Sequence, residues 1–302
     1  MKLLSFTKDG KKGFGVVKGN NGVIELGSRL GPEIPDLKAV FAQQAQGKIA
    51  EILASTEADF SLDDIQYDIP IDNAHTLLCI GVNYANRNAE YKDGSEPPKY
   101  PSMFLRTSGS FTGHNRPLIR PPETPQLDYE GEICIVIGKS GRRIPKKEAL
   151  SYVAGLTIMN EGTLRDWVRH AKFNVTQGKN FAQSGAIGPW IVTMDEIGDP
   201  QQLLNYPVKT TVNGEVRQDD VTSIMRFPID YIISYVSTFI NLQPGDIIAT
   251  GTPTGAGARF DPPKYLAPGD VVEVTVPGVG TLSNGIEDED VPAHFPEPGT
   301  DF

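Results

Sequence analysis

Two glutamates set two residues apart in an apolar run are the first feature that could do chemistry. They lie in Leu127-Asp128-Tyr129-Glu130-Gly131-Glu132-Ile133-Cys134-Ile135-Val136-Ile137-Gly138, which reads as one strand closed by Gly138. Side chains alternate faces along a strand, so Glu130 and Glu132 point the same way, about 7 Å apart by strand rise. Two carboxylates on one face of an apolar strand are costly to bury without a partner. A hard cation removes that cost, because Mg²⁺ and Mn²⁺ prefer oxygen ligands; the alternative is an exposed edge strand with two solvated glutamates. A third acid, Glu161, stands where the apolar run Gly155-Leu156-Thr157-Ile158-Met159-Asn160 breaks into Glu161-Gly162-Thr163-Leu164-Arg165-Asp166-Trp167. Further on, Ile247-Ile248-Ala249 runs into Thr250-Gly251-Thr252-Pro253-Thr254-Gly255. No Gly-Lys-Ser/Thr follows, so this is not a Walker phosphate loop. Its glycines would let backbone N–H groups and Thr252 approach a small anion.

Elements that could hold such a cluster are legible around it. The chain has 302 residues, enough for one large domain, or one large and one small. Its 31 Gly and 24 Pro sit singly between apolar runs, a pattern of many turns between short strands. Residues 1–72 read as a small N-terminal domain: strands in Met1–Phe6, Gly13–Val17 and Asn20–Leu26, a helix over Leu37–Leu53, and a polar, Pro-containing linker at Asp68–Asn73. Residues 73–302 read as a second, larger, strand-rich domain. Strands are expected at Thr76–Val82, Met103–Leu105 and Val208–Val216, the last containing Asn213-Gly214, a strong hairpin signal. Pro244-Gly245 and Pro268-Gly269 suit type II turns that each start a strand. One helix is expected from Pro228 to Ile240, with Ile229, Ile232, Ile233, Val236, Phe239 and Ile240 at helical spacing. The acidic, Pro-containing tail from Glu287 reads as solvated.

The net charge of −10 and the absence of a Lys/Arg stripe exclude nucleic acid as a partner. No apolar run approaches the roughly 20 residues of a membrane helix, and Met1–Gly10 turns polar too soon for a signal peptide, so no membrane role and a cytoplasmic location are expected. Cys79 and Cys134, the two cysteines, sit in apolar runs and read as buried free thiols.

The ordered set of Asp128-Tyr129-Glu130-Gly131-Glu132, Asn160-Glu161 with Arg165-Asp166-Trp167, Gly178-Lys179-Asn180-Phe181, Gly188-Pro189-Trp190, Asn213-Gly214-Glu215, Leu242–Gly255 and the second Pro-Gly-Asp at Pro268 resembles the fumarylacetoacetate hydrolase family. The likeness runs from about Cys79 to Gly285. It implies an α+β, β-rich fold, a mixed β-sandwich roll with a small N-terminal domain, a homodimer, and Mg²⁺ or Mn²⁺. By position, Glu130, Glu132 and Glu161 match the metal ligands, and Lys179 the lysine that contacts substrate. Thr252 matches the loop threonine that holds a substrate carboxylate, with Gly251 beside it; Arg165 matches the arginine after the third ligand. Three departures stand out. Glu161 replaces the usual Asp, and Val168 stands where Gln is common. The lid motif Asn-Tyr-x-Asp-His-x-x-Glu reads Asn83-Tyr84-Ala85-Asn86-Arg87-Asn88-Ala89-Glu90. Tyr84 and Glu90 are retained, but the histidine that would help activate water is Arg87, which cannot act as a base at neutral pH.

The resemblance implies a metal-dependent hydrolase that cleaves a C–C bond in an acylpyruvate such as fumarylpyruvate or maleylpyruvate, in the breakdown of aromatic compounds. Glu90 would orient or activate the water, and Lys179 would offset developing charge. The alternative is an isomerase or decarboxylase of a 2-hydroxy-diene-dioate or 2-oxo diacid using the same metal enolate, which the loss of the lid histidine favours. Arg87 could then pair with a second substrate carboxylate when a mobile lid, Asn83 to about Pro98, closes; otherwise it pairs with Glu90 on the surface. A non-enzymatic metal-binding protein is disfavoured by the ordered combination of ligands, Lys179 and Thr252. His114 and His170 lie near site segments in sequence; His75 and His294 do not.

Overall fold

The apolar run after Glu130 forms the strand Gly131–Ile137, buried at every residue. A strand covered on both faces sits inside a sheet, and this one pairs antiparallel with Val153–Asn160 on one side and Ile247–Ala249 on the other. Beyond Val153–Asn160 come Gly185–Thr193 and then the N-terminal strands; beyond Ile247–Ala249 come Leu77–Gly81 and Ser102–Leu105. Ile247–Ala249 runs parallel to Leu77–Gly81, so the sheet is mixed. It contains 12 strands among the described residues, which in this computed structural model are 1–91, 96–171 and 174–296.

A second, 5-stranded sheet is ordered Glu215–Val221, Pro207–Val212, Val271–Val276, Gly280–Asp288, Leu118–Arg120. Its Val208, Val274 and Leu282 share the main core with Ile133 and Ile135 of the large sheet. Gly131 marks how close the sheets come, since a Cβ there would lie 2.1 Å from Thr210 Oγ1 and 3.0 Å from Val274 Cγ1. The architecture is the β-rich mixed sandwich expected. No helix among the described residues is long and apolar enough to cross a membrane.

Local expectations meet the structure unevenly. Asn213 (φ 51°) and Gly214 (φ 78°) both take the left-handed conformation that a type I′ hairpin requires. Gly245 (φ 85°) and Gly269 (φ 91°) take the positive φ of a type II turn. Asp246 and Asp270 repeat one device there, each accepting the N–H three residues back, from Gln243 and Ala267, at 2.8 Å. The expected helix at Leu37–Leu53 is two, Leu37–Ala42 and Gln46–Ser55, separated where Gln44 takes φ 54°. The later helix covers Ile229–Val236 with Pro228 as its N-cap, and stops short of Ile240.

The N-terminal residues are not a detached unit. Lys2–Lys8 pairs with Gly185–Thr193, placing Lys2 opposite Val192 and Leu3 opposite Ile191, so the large sheet runs through both parts of the chain. The segment read as a linker is fastened down. Ser5 Oγ donates to the Pro70 carbonyl at 2.7 Å, Thr7 Oγ1 to Asp68 Oδ2 at 2.8 Å, and Ile69 and Ile71 are buried.

His114 closes this junction. Its ring meets Tyr67 edge-on at 4.8 Å, and its Nδ1 accepts from the Ser283 N–H at 3.1 Å. Burial lowers its pKa to about 4. The folded protein therefore binds this proton less readily than the unfolded chain. Stability should be undiminished above the ordinary histidine range and fall as pH drops from about 6.5 to 4, by on the order of 2–3 kcal/mol for this group. Urea melts at pH 7 and 4.5 test this. His114→Asn, whose Oδ1 can keep the Ser283 bond, should flatten the dependence; an unchanged slope would exclude His114 as its source.

Candidate active site

Glu130, Glu132 and Glu161 line one cavity of about 530 Å³, together with Arg87, Arg165, Lys179 and Thr252. The three carboxylates are 4%, 1% and 2% exposed, so none is a solvated edge residue. Their backbone differs from the expected single strand. Pairing is interrupted at Tyr129–Glu130, between Leu127–Asp128 and Gly131–Ile137. Asn160 bridges the break, its Oδ1 accepting from the Glu130 N–H at 3.0 Å while the Glu161 N–H donates to the Glu130 carbonyl at 2.8 Å.

Glu130 is the electrostatic hub. Arg87 Nη2 and Arg165 Nη2 each donate to its Oε1 at 2.7 Å; Lys179 Nζ at 2.7 Å and Thr163 Oγ1 at 3.1 Å donate to Oε2. Burial acts to raise its pKa, but the charges of Arg165, Lys179 and Arg87 prevail and hold the carboxyl well below the ordinary range. Glu132 is the opposite case. Burial, then the nearby charges of Glu161 and Glu130, push it well above that range, and the Gly251 N–H at 2.8 Å only partly offsets them. Lys179 also reaches Glu161 Oε2 at 3.2 Å and Thr163 Oγ1 at 2.9 Å. Burial opposes its charge, yet Glu130 and Glu161 raise its pKa.

The donor set fits a divalent cation in chemistry. All three groups offer carboxylate oxygen, Glu161 Oε1 is buried without a hydrogen-bond partner among the described residues, and the proton affinity of Glu132 marks unbalanced negative charge. They are not drawn together in ligating geometry. Among the described residues no three His, Cys, Asp or Glu side chains form a cluster that could hold a metal as they stand. The physical reason is visible at Glu130, both of whose oxygens are engaged by cations.

The other site residues fall in different places. Thr252 lines the cavity, but its hydroxyl is in use, donating to the Gly131 carbonyl at 3.0 Å and accepting from Gln218 Nε2 at 2.8 Å. Gly251 acts through its N–H on Glu132 rather than as cavity wall; with φ 104° and Asn83 Cβ only 2.7 Å from where a Cβ would stand, only glycine suits it. Arg165 bridges inward, its Nε donating to Asp128 Oδ2 at 2.6 Å. Tyr84 is not among the cavity-lining residues. It is 1% exposed in the main core, and its hydroxyl has no partner among the described residues.

Arg87 is not on the surface; it lines the cavity with its guanidinium engaged by carboxylates. It is 2% exposed and pairs with Glu90 as well as Glu130. Glu90 in turn accepts the Gly255 N–H at 2.8 Å through its other oxygen. Both oxygens of the expected water activator are thus engaged, and Glu90 is not among the cavity-lining residues. A short helix, Asn88–Tyr91, lies within the segment expected as a lid, whose residues 92–95 lie outside the described residues. Val168, at the position where glutamine is common, lines the cavity as an apolar contact. No histidine is among the cavity-lining residues: His170 stacks on Trp167 at 4.1 Å, and His114 is at the N-terminal junction.

Several residues escaped the sequence reading. Asp128 is fully buried and accepts from the Gly257 N–H at 2.7 Å, the Ala258 N–H at 3.0 Å and Arg165, tying the glycine loop to the carboxylate strand. Gln218 holds that loop from the second sheet, accepting the Gly131 N–H at 2.9 Å and donating to Thr252 and Pro253. Arg169 and Arg259 line the outer part of the cavity with Pro263 and Tyr265. Of these only Asp128, inside the first motif, carried a sequence signal.

Residues 76–287 match the fumarylacetoacetate hydrolase C-terminal domain. The chain is 41% identical over 231 residues, 75% of each chain, to oxaloacetate tautomerase YisK of Bacillus subtilis (strain 168). Fumarylacetoacetate hydrolase from psychrophilic Exiguobacterium antarcticum superposes with TM-score 0.77 at 31% identity, covering 96% of this chain and 100% of that one. For 2-hydroxyhepta-2,4-diene-1,7-dioate isomerase from Mycobacterium marinum the TM-score is 0.73 at 26% identity, with the same coverage. The carboxylate cluster, the lysine behind it and the glycine loop thus sit in the part of the chain that these proteins share, and the chain belongs to the fumarylacetoacetate hydrolase family of enzymes.

Proposed function

We propose that the chain catalyses proton transfer beside the keto group of a small 2-oxo diacid, a tautomerase- or isomerase-type reaction, with Mg²⁺ or Mn²⁺ held by Glu130, Glu132 and Glu161. The observation that carries this reading is the state of the would-be water activator. No histidine lines the cavity, Glu90 spends both oxygens on Arg87 and the Gly255 N–H, and Arg87 cannot take a proton. C–C hydrolysis needs an activated water; keto–enol exchange does not. It breaks a C–H bond at C3 and forms an O–H bond at C2, the C3 proton leaving to solvent water and a proton returning from water to the enolate oxygen, with no net redox change. The 41% identical relative named for oxaloacetate tautomerisation supports the same choice.

When bound, the cation would supply Lewis-acid polarisation of the 2-oxo carbonyl. The chain supplies charge, orientation and shape around it. Lys179 places a fixed positive charge beside the carboxylates, where negative charge on the enolate oxygen can be stabilised in a site shielded from water. Arg165, held by Asp128, orients Glu130. Ile80, Val82, Phe104, Val168 and Val175 form an apolar wall around a short carbon chain. At the outer end Arg169 is exposed and makes no ion pair among the described residues, and with Arg259 it offers positive charge to a second acid group.

Oxaloacetate and an acylpyruvate panel test the reading together. With Mn²⁺ present, the enzyme should accelerate the ultraviolet absorbance change of oxaloacetate keto–enol exchange without releasing pyruvate and an acid from acylpyruvates. Acid release from acylpyruvates at a comparable rate would restore the hydrolase reading.

A further inference from the structure

Arg106 is a fully buried arginine that does not line the cavity and has no assigned role. Its charge is expensive where it lies, and burial lowers its pKa. Its donors go mainly to neutral groups. Nε donates to Ser110 Oγ at 3.1 Å, Nη1 to the Gly162 carbonyl at 3.1 Å, and Nη2 to Ser184 Oγ at 3.2 Å and the Ser110 carbonyl at 3.3 Å. The Phe111 ring lies 4.1 Å from the guanidinium carbon. Glu161 Oε1 is 3.8 Å from Nη1, near enough to attract but too far for a hydrogen bond, and that oxygen has no hydrogen-bond partner among the described residues.

These contacts join the segments that carry two site residues. Gly162 follows Glu161 and lies directly against Ser184, where a Cβ would come within 1.6 Å of the Ser184 carbonyl oxygen. Ser184 accepts from Arg106, and the N–H of Thr107 donates to Asn180 Oδ1, next to Lys179, at 2.8 Å. We propose that Arg106 is the positioning residue that ties the Glu161 strand end to the Lys179 segment while leaving Glu161 Oε1 open toward a divalent cation. A carboxylate hydrogen-bonded to its own counterion would offer that oxygen less readily; the neutral acceptors around Arg106 hold the guanidinium back.

The proposal rests on Glu161 being a metal ligand, and the test separates the two. A fixed positive charge alone repels a cation, so charge and positioning predict opposite signs. Chelator-stripped protein is titrated with Mn²⁺ by calorimetry, and thermal melts check the fold. Wild type should bind Mn²⁺. Arg106→Gln should bind it about 10–100-fold more weakly, as when a partner that orients a ligand is lost. Arg106→Lys should weaken it too, because an ammonium cannot reproduce the planar fork. Equal or tighter binding in Arg106→Gln, or wild-type affinity in Arg106→Lys, would overturn the role. If neither folds, Ser184→Ala decides: it should weaken Mn²⁺ binding about threefold through one lost hydrogen bond, and unchanged affinity would overturn the proposal. No binding by wild type would remove the metal reading itself.

Discussion

Lys179→Met is expected to lower kcat by on the order of 10²-fold or more, the scale seen when one charge-stabilising donor is removed from a shielded site. Nζ touches Glu130 Oε2, Glu161 Oε2 and Thr163 Oγ1 within 3.2 Å and lies 4.9 Å from the centre of the Phe104 ring. Although burial opposes its charge, the two carboxylates raise its pKa, so at neutral pH it serves as a cation and not as a base. Methionine keeps an unbranched apolar stem as far as the ε atom while deleting the ammonium and its contact with the Phe104 ring. The loss should therefore fall on kcat, with a melting profile that remains cooperative. A kcat within about twofold of wild type would take Lys179 out of the chemistry.

Glu132→Gln should abolish divalent-metal binding and activity together while leaving the protein folded. Glutamine keeps an oxygen for the Gly251 N–H, which now donates to Glu132 Oε2 at 2.8 Å. It removes the carboxylate's ability to take on negative charge, which Glu161 and Glu130 oppose and a bound cation would favour. Affinity should fall by more than about 10²-fold, beyond the 10–100-fold that loss of an outer partner costs. Dialysis against Mn²⁺ followed by elemental analysis measures this directly. Wild-type metal content in the variant would remove Glu132 from the ligand set.

What the sequence disclosed was mostly local. Glu130 and Glu132 share a cavity, as a period of two requires, even though the strand breaks at Tyr129–Glu130. Asn213-Gly214 and the paired Pro-Gly turns were legible because their conformations are set by one or two residues. Partners distant in sequence were not. Spacing offers Arg87 and Glu90 to each other, but nothing in it says that Glu130 and Gly255 would take their remaining contacts. Arg106 looks like any basic residue after a strand until Gly162 and Ser184 are folded against it. Tyr84 belongs to a motif, yet burial in the main core decides its surroundings. Alternation in Lys2–Lys8 identifies a strand without naming its neighbour, so a separate N-terminal unit is expected where the sheet is in fact continuous.

That continuity also orders events during synthesis. The neighbour of Lys2 and Leu3 in the sheet is Ile191–Val192, about 190 residues later in the chain. At roughly 5–20 residues per second the first strand waits about 10–40 s after leaving the ribosome for that partner to be made. In the interval it has Lys11–Lys18 on one side, while on the other Gln66–Tyr67 covers Phe6 and Thr7 and the edge at Lys2 and Leu3 stays open toward the missing strand. The nascent N-terminal hairpin is thus the part of the molecule longest exposed to the wrong partner, including the same hairpin on a neighbouring ribosome.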